Sequence, residues 1–386
     1  MSEVSTFGWD EPLDVPFFDV DGDRVRLLVD GRMAFRAMLS AIRSARREVL
    51  VEMYWVGDDP VGTRFRAELA AAARRGVMVR VVFDAFGSLG LPGDFWAPVE
   101  REGGIVYTFH ALSPFARRFR PDFLERRDHR KLLVIDGTTG FLGGINLALP
   151  WLPRECGGEA FRDDAIEITG PSLEDLRALF FKTWSHVSGT RTGPTVAAFG
   201  ERRLGRVWAL ASPTSRRARR SVLGEYLFRI HRAKRSLDFA NAYFVPRSSF
   251  RHALYGARRR GVRVRLLLPE VSDITAVQLA QESFYEDYLA AGIEVYLLHD
   301  AVLHSKTAIV DRHFVTTGSY NLDERSRVKN FELNLAIEDA AFAEHVSEVF
   351  ESDLQRSVRL TPGSWQRRSV VRRGAQAVAH LFRRLL

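Results

Sequence analysis

The sequence predicts an α/β protein made of two copies of one unit, each a mostly parallel sheet flanked by helices. Three observations predict it. Strand-like and helix-like segments alternate along the chain, which argues for crossover-linked parallel strands. Two stretches about 175 residues apart read alike when placed side by side. A His-x-Lys pair recurs at the same place in both, with the same residues following at the same spacing.

In the first copy Glu48 to Val56 reads as a strand, Thr63 to Arg75 as a helix, Gly76 as its stop and Val77 to Phe83 as a second strand. In the second, Ser236 to Val245, Ser249 to Arg260, Gly261 and Val262 to Leu268 take the same parts, and the Arg-Arg-Gly-Val junction recurs. Each copy then runs through another strand, Ile105 to Phe109 or Ile293 to Leu298, into the apolar His-x-Lys strand. Each closes on a helix, Ser172 to His186 or Ala340 to Leu354. Ser188 to Gly200, rich in Gly, Thr and Pro, reads as a linker, followed by a short strand, Arg206 to Ala211, and a basic turn, Pro213 to Arg220. The domain assignment is 1–190 for the first repeat, 191–361 for the second and 362–386 for a basic amphipathic C-terminal helix.

The chain has 386 residues, 46% apolar and 27% charged, which suits a folded two-repeat body rather than a disordered segment. One cysteine, Cys156, excludes a disulfide framework and a thiolate metal cage. The net charge of +8 favours an anionic partner without choosing among nucleic acid, phospholipid and phosphorylated small molecules. No apolar run approaches the roughly 20 residues of a spanning helix, and the acidic, proline-broken start has no secretory pattern, so neither export nor a membrane span is expected.

His129-x-Lys131 is followed by Asp136, Gly143, Gly144 and Asn146, and His304-x-Lys306 by Asp311, Gly318, Ser319 and Asn321. On a strand, alternate residues share a face, so each copy presents an imidazole beside an ammonium. The small residues of the following turn permit close backbone approach to a ligand, and Asn can donate to an anionic oxygen. Two His, two Lys and two Asn around one phosphate suit phosphodiester chemistry. One imidazole attacks phosphorus, the other protonates the departing alkoxide, and the remaining groups stabilise charge on the equatorial oxygens. No metal or cofactor is called for, and the other histidines read as helix-end or surface residues. Asp136 and Asp311 complete the motif set, but at strand ends entering turns they read as structural. An attacking imidazole also needs an acceptor on its other nitrogen, and Asp163 and Glu332 are the candidates.

Two H-x-K-x4-D motifs in register, each followed by G-G/S-x-N, resemble the duplicated signature of the phospholipase D superfamily. The likeness covers about Val25 to Thr361. Within it, Gly318 to Ser326, Asn330 to Asn334 and Asn241 to Pro246 are similar to bacterial cardiolipin synthases. The resemblance implies a pseudo-two-fold pair of repeats with the active site between them, and a phosphatidyl transfer through a phosphohistidine. A donor lipid yields its phosphatidyl group, and the glycerol hydroxyl of a second lipid accepts it. Phosphatidylglycerol as both partners gives cardiolipin and glycerol; water as acceptor gives phosphatidic acid. His129 is assigned as nucleophile and His304 as acid and base, with the reverse left open by the symmetry. A hydrolytic phospholipase D and a nuclease are the rival readings, with nucleic acid the disfavoured partner.

The chain looks like a short branch of that family without transmembrane helices, which implies a peripheral protein on the cytoplasmic side of the cell membrane, bound to anionic phospholipid. Val371, Ala375, Val378, Phe382 and Leu385 fall on one helical stripe among arginines, a pattern for a helix lying on an anionic bilayer or packing on the body. The loop Leu112 to Arg127, with Phe115, Phe119 and Phe123 among arginines, is a second candidate for lipid contact. Oligomeric state is not readable.

Overall fold

A computed structural model describes residues 7–112, 125–190, 205–212 and 221–382. The first repeat contains β1 (Phe18–Val20), β2 (Asp23–Val29), α1 (Asp30–Ser44), β3 (Glu48–Met53), α2 (Pro60–Arg74), β4 (Met78–Asp84), α3 (Ala97–Arg101), β5 (Ile105–Phe109), β6 (Lys131–Ile135), β7 (Thr139–Gly143), β8 (Asp164–Thr169) and α4 (Leu173–Ser188). The second contains β9 (Val207–Ser212), α5 (Val222–Arg232), β10 (Ser236–Asn241), α6 (Ser248–Arg259), β11 (Arg263–Pro269), α7 (Thr275–Glu282), α8 (Tyr285–Ala290), β12 (Glu294–Leu298), β13 (Lys306–Val310), β14 (Phe314–Gly318), α9 (Glu324–Val328), β15 (Glu332–Glu338), α10 (Ala340–Gln355) and β16 (Ser357–Arg359). Then come α11 (Pro362–Gln366) and α12 (Val370–Phe382).

These strands form two eight-stranded sheets, in the orders β1-β2-β8-β7-β6-β3-β4-β5 and β16-β12-β11-β10-β13-β14-β15-β9. Both are mixed, which corrects the expectation of mostly parallel sheets. Among the sheet strands, parallel pairing is confined to β3-β4-β5 and β10-β11-β12, the strands joined through helices. The His-x-Lys strands β6 and β13 run antiparallel to β3 and β10 and turn back through tight hairpins into β7 and β14. A two- or three-residue connection can join only antiparallel neighbours.

Local chemistry explains the elements. In β3 every side chain is buried; Val49, Leu50, Val51 and Met53 are apolar, as a strand covered on both faces favours, and the buried Glu48 and Glu52 pair with Arg177 and Arg130. Asp59 caps α2 by accepting from Val61 N and Gly62 N, and Pro60 opens the first turn. Gly76 and Gly261 both stand at φ +87°, past the ends of α2 and α6. This left-handed position explains the repeated Arg-Arg-Gly-Val junction. β3 and β10 stop at Met53 and Asn241, earlier than expected, because the chain leaves the sheet there and pairs Val56 with Leu147 and Phe244 with Leu322.

One apolar cluster packs the first sheet against α1 and α2, and another packs the second against α5, α6 and α7. A third contains Leu132, Leu142, Ile166 and Phe180 of the first repeat with Leu303, Ile309, Leu335 and Phe350 of the second. The two sheets therefore share a core. Val370 to Phe382 forms a helix, but one side of it docks on the body. Arg372 pairs with Glu282, Gln376 Nε2 donates to Glu282 Oε2 at 2.8 Å, and His380 Nδ1 lies 2.9 Å from Ser283 Oγ. Ala375 is half-buried, while Val371 and Val378 are exposed, so the expected single stripe is divided between the body and the outside. Leu385, the basic turn 213–220 and most of the loop 112–127 lie outside the described residues.

Candidate active site

β6 begins with Lys131 opposite Met53, and β13 begins with Lys306 opposite Asn241. His129 and His304 thus lie just ahead of their strands, at the edge where the parallel strands of each sheet finish. That edge is where open α/β sheets offer binding crevices.

The backbone of each histidine is held by the other repeat. His129 N donates to Phe331 O at 2.9 Å and His304 N to Arg162 O at 2.7 Å; Phe331 N returns a bond to Arg127 O, and Arg162 N one to Val302 O. The residue after each of these partners supplies a carboxylate. Glu332 Oε2 is 3.0 Å from His129 Nδ1, and Asp163 Oδ2 is 2.7 Å from His304 Nδ1. An ionised carboxylate only accepts, so each Nδ1 carries the proton and each Nε2 is the basic nitrogen.

The turn residues make room for these carboxylates rather than for a ligand. A Cβ on Gly144 would collide with Asp163 Oδ1. At the matching position Ser319 Oγ donates to Glu332 Oε2 and accepts from Leu333 N at 3.0 Å. Gly143 and Gly318 are required by backbone carbonyls of the neighbouring strands, Asp164 O and Leu333 O. Asn146 Oδ1 accepts from Trp55 N at 3.1 Å, leaving its amide nitrogen to donate. Asn321 is buried, and its Oδ1 has no partner among the described residues.

Both lysines are buried. Lys131 Nζ donates to His129 O at 2.6 Å and sits 4.8 Å from the centre of the Tyr54 ring. Lys306 Nζ lies along the edge of its own repeat's imidazole, 2.8 Å from His304 Nδ1 and 3.2 Å from Nε2. Asp136 and Asp311, by contrast, are not brought to the histidines. Each stands at φ 54° at the far end of its strand. Asp136 accepts from the backbone N of Arg46, Arg47 and Glu48 at 2.7 to 2.9 Å, and Asp311 does the same for Lys234, Arg235 and Ser236. The motif aspartates therefore tie down the starts of β3 and β10, the parallel strand beside the His-x-Lys strand in each sheet.

Electrostatics link the two halves. Burial pushes the His129 imidazole down to about 4 against the pull of Glu332, with Lys131 and Lys306 adding to the fall. His304 is also lowered, by burial and then by Lys306. Lys131 falls to about 7 through burial, opposed by Glu332 and reinforced by Lys306, and Lys306 falls through burial against Asp163 and Glu332. Burial raises both carboxylates, but Lys306 and His304 outweigh it at Asp163, and His129 and Lys131 at Glu332, so both end below their ordinary values. Two carboxylates face two ammonium groups and two neutral imidazoles, and an added phosphodiester charge favours the protonated lysines.

Two contacts were missed by comparing the repeats. Trp151 Nε1 donates to Asp163 Oδ2 at 2.9 Å and its ring lies edge-on to His304; the matching position, five residues past the motif Asn, holds Ser326. Tyr54 packs edge-on to His129, where the second repeat has Ala242. Residues that differ between copies carry no signal in a repeat comparison. His110, expected at a surface or helix end, is buried with Nε2 3.1 Å from His186 Nε2.

A family model described as cardiolipin synthase, PLD-like domain, matches residues 38–151 and 226–354, one stretch in each repeat and more than half of the chain. The chain belongs to this family. A probable cardiolipin synthase of Bacillus subtilis is 31% identical over 364 residues, 93% of this chain and 71% of the relative. Cardiolipin synthase A of Pseudomonas entomophila is 34% identical over 343 residues, 88% of this chain and 70% of the relative. In architecture, this cardiolipin synthase family member resembles the crystal structure of phosphatidylserine synthase from Haemophilus influenzae. The TM-score is 0.72 at 15% identity, covering 96% of this chain and 95% of that one, a likeness that speaks for the fold alone. Among the described residues no helix is long and apolar enough to cross a membrane.

Proposed function

We propose that this phospholipase D-type enzyme moves a phosphatidyl group from one phosphatidylglycerol to another, forming cardiolipin and releasing glycerol, with the active site between the two repeats. The observation that carries this reading is the reciprocal pairing of each imidazole with a buried carboxylate of the opposite repeat. Such pairing leaves Nε2 on both rings as the reacting nitrogen.

His129 is the nucleophile. Lys306 supports this choice: its Nζ lies 3.2 Å from His304 Nε2, whereas both imidazoles are neutral and each lysine donates to the carbonyl of its own repeat's histidine. His129 Nε2 forms a bond to phosphorus as the bond to the departing glycerol oxygen breaks, and His304, protonated in the field of the bound phosphate, gives that oxygen its proton. In the second step His304 takes the proton from a glycerol hydroxyl of the acceptor lipid. The new P–O bond forms as P–N breaks, which restores both rings. Lys131, Lys306, Asn146 and Asn321 stabilise the equatorial oxygens, and Asp163 and Glu332 orient the rings.

The substrates place the protein peripherally on anionic lipid, at the cytoplasmic side of the cell membrane. The net charge of +8 supports this, as do the exposed Val370, Val371, Val378 and Leu381 of α12. Purified protein incubated with phosphatidylglycerol vesicles should yield cardiolipin and glycerol, and both should disappear in His129→Ala and His304→Ala. Phosphatidic acid alone would make the protein a hydrolase. Plasmid cleavage without lipid turnover would make it a nuclease.

A further inference from the structure

β4 and β11 occupy equivalent places in the two sheets, and the chain leaves both at the edge that carries the histidines. Eight positions beyond the first residue of each strand stand Phe86 and Val271, and eleven positions beyond stand Leu89 and Ile274. Phe86 is 52% exposed, Leu89 69%, Val271 63% and Ile274 44%. Scattered exposed apolar residues are ordinary, but a matched pair on both copies, beside one site, is not scatter. The residues between them differ, Gly87 and Ser88 against Ser272 and Asp273, so apolar exposure recurs where sequence does not.

Both loops are fastened to the histidine pair. Asp84, at the end of β4, accepts from Phe86 N and from Asp128 N, each at 2.8 Å, which sets the base of the first loop one residue from His129. Ser88 Oγ donates to Tyr54 O at 3.1 Å, and the Tyr54 ring packs edge-on to His129 at 4.7 Å. In the second loop the Asp273 carboxylate accepts from Tyr243 OH at 2.7 to 2.8 Å, and Tyr243 is edge-on to His304 at 6.5 Å. Each apolar tip is thus tied through a tyrosine to the histidine of its own repeat.

We propose that loops 84–91 and 269–275 form a paired apolar rim that enters the acyl region of an anionic bilayer, one loop beside each of the two lipids whose headgroups meet at the histidines. The inference rests on the phosphatidyl transfer reading. A phospholipid is charged at one end and apolar at the other, and the molecule offers cations at the histidine pair with apolar side chains around it. Two like lipids must meet head to head, and the rim is duplicated accordingly. The basic charge of the chain draws the rim to an anionic surface, where inserted side chains add the hydrophobic share of binding.

The lone cysteine, Cys156, is buried, so a polarity-sensitive fluorophore can be placed at Leu89→Cys and, separately, at Ile274→Cys. With phosphatidylglycerol vesicles both labels should shift to the blue. In unlabelled protein, Leu89→Ser combined with Ile274→Ser should weaken vesicle co-sedimentation about tenfold or more, with an unchanged unfolding midpoint. Vesicle pelleting without a shift at either label would overturn the rim, as would no pelleting at all. A shift at one label only would overturn the pairing, and a shift that grows with protein concentration without lipid would assign the surface to a second copy of the chain. These readouts do not depend on turnover, so loss of the rim leaves the transferase reading to be judged by its products, and the reverse.

Discussion

His129 and Glu332 are 203 residues apart in the chain and 3.0 Å apart in space, so the imidazole of the first repeat is held by a carboxylate of the second. His304 and Asp163 mirror the arrangement at 2.7 Å. Glu332→Gln and Asp163→Asn keep the shape of these side chains and remove the charge that holds the tautomer. Each should lower cardiolipin formation by about 10²–10⁴-fold, as in other sites where a carboxylate orients a histidine. Turnover of purified variants on phosphatidylglycerol vesicles, beside circular dichroism to confirm the fold, is the check.

The pH profile follows from Lys131. With its ammonium at about 7, it carries charge below that pH and loses it above, while His129, at about 4, stays neutral through the working range. kcat/KM should therefore fall as pH rises through about 7, and the loss of the proton that His304, itself lowered, must deliver adds to the fall. Lys131→Arg, which cannot lose its charge, should remove the share of the alkaline fall that Lys131 contributes and leave the share of His304, while lowering activity throughout. A wild-type profile still level at about pH 9 would contradict this assignment.

Gly144→Ala should cost more than an ordinary glycine replacement, because the added methyl meets the Asp163 carboxylate. Stability should fall by about 1–3 kcal/mol, as for other overpacked buried positions, and turnover should fall with it. Urea unfolding measures the first and product formation the second. Ser319→Ala makes room instead of filling it, so it should spare the packing and weaken the hold on Glu332.

Asp136→Ala and Asp311→Ala should reveal themselves in stability. Each carboxylate accepts three backbone N–H groups of a strand start, and leaving those donors unpaired should cost about 1–3 kcal/mol. The unfolding midpoint should drop, while cardiolipin formed per folded molecule should fall far less than in Lys131→Ala. An equal loss would return these residues to the chemical site.

The central elements of both repeats were legible because they recur: a buried strand, a helix, a left-handed glycine and a second strand stand in the same order twice. The pairing of His129 with Lys131 and of His304 with Lys306 was legible for the same reason, and Asp163 and Glu332 followed from the need of an imidazole for an acceptor. Sheet direction was not legible. Alternating strands and helices suggested parallel order throughout, but β1 and β2, and the hairpins after β6 and β13, are joined by connections too short for a crossover. The exchange of partners between repeats was also hidden, since spacing along a chain says nothing about which copy a carboxylate faces. Trp151 and Tyr54 escaped because the second copy has Ser326 and Ala242 in their places. The tail pattern could not choose between body and bilayer, because α12 uses Arg372, Gln376 and His380 on one side and leaves Val371 and Val378 on the other.

The bonds that His129 donates to Phe331 and Glu332 also set a timetable. A ribosome making this chain finishes β6 and its histidine long before the residues that orient that histidine have been translated. The first repeat can fold as it emerges, as N-terminal units generally do, but its imidazole has no carboxylate partner until β15 follows. In the proposed mechanism the attacking imidazole is therefore not assembled on the unfinished protein, and a truncated product carries the motif without the carboxylate that orients it.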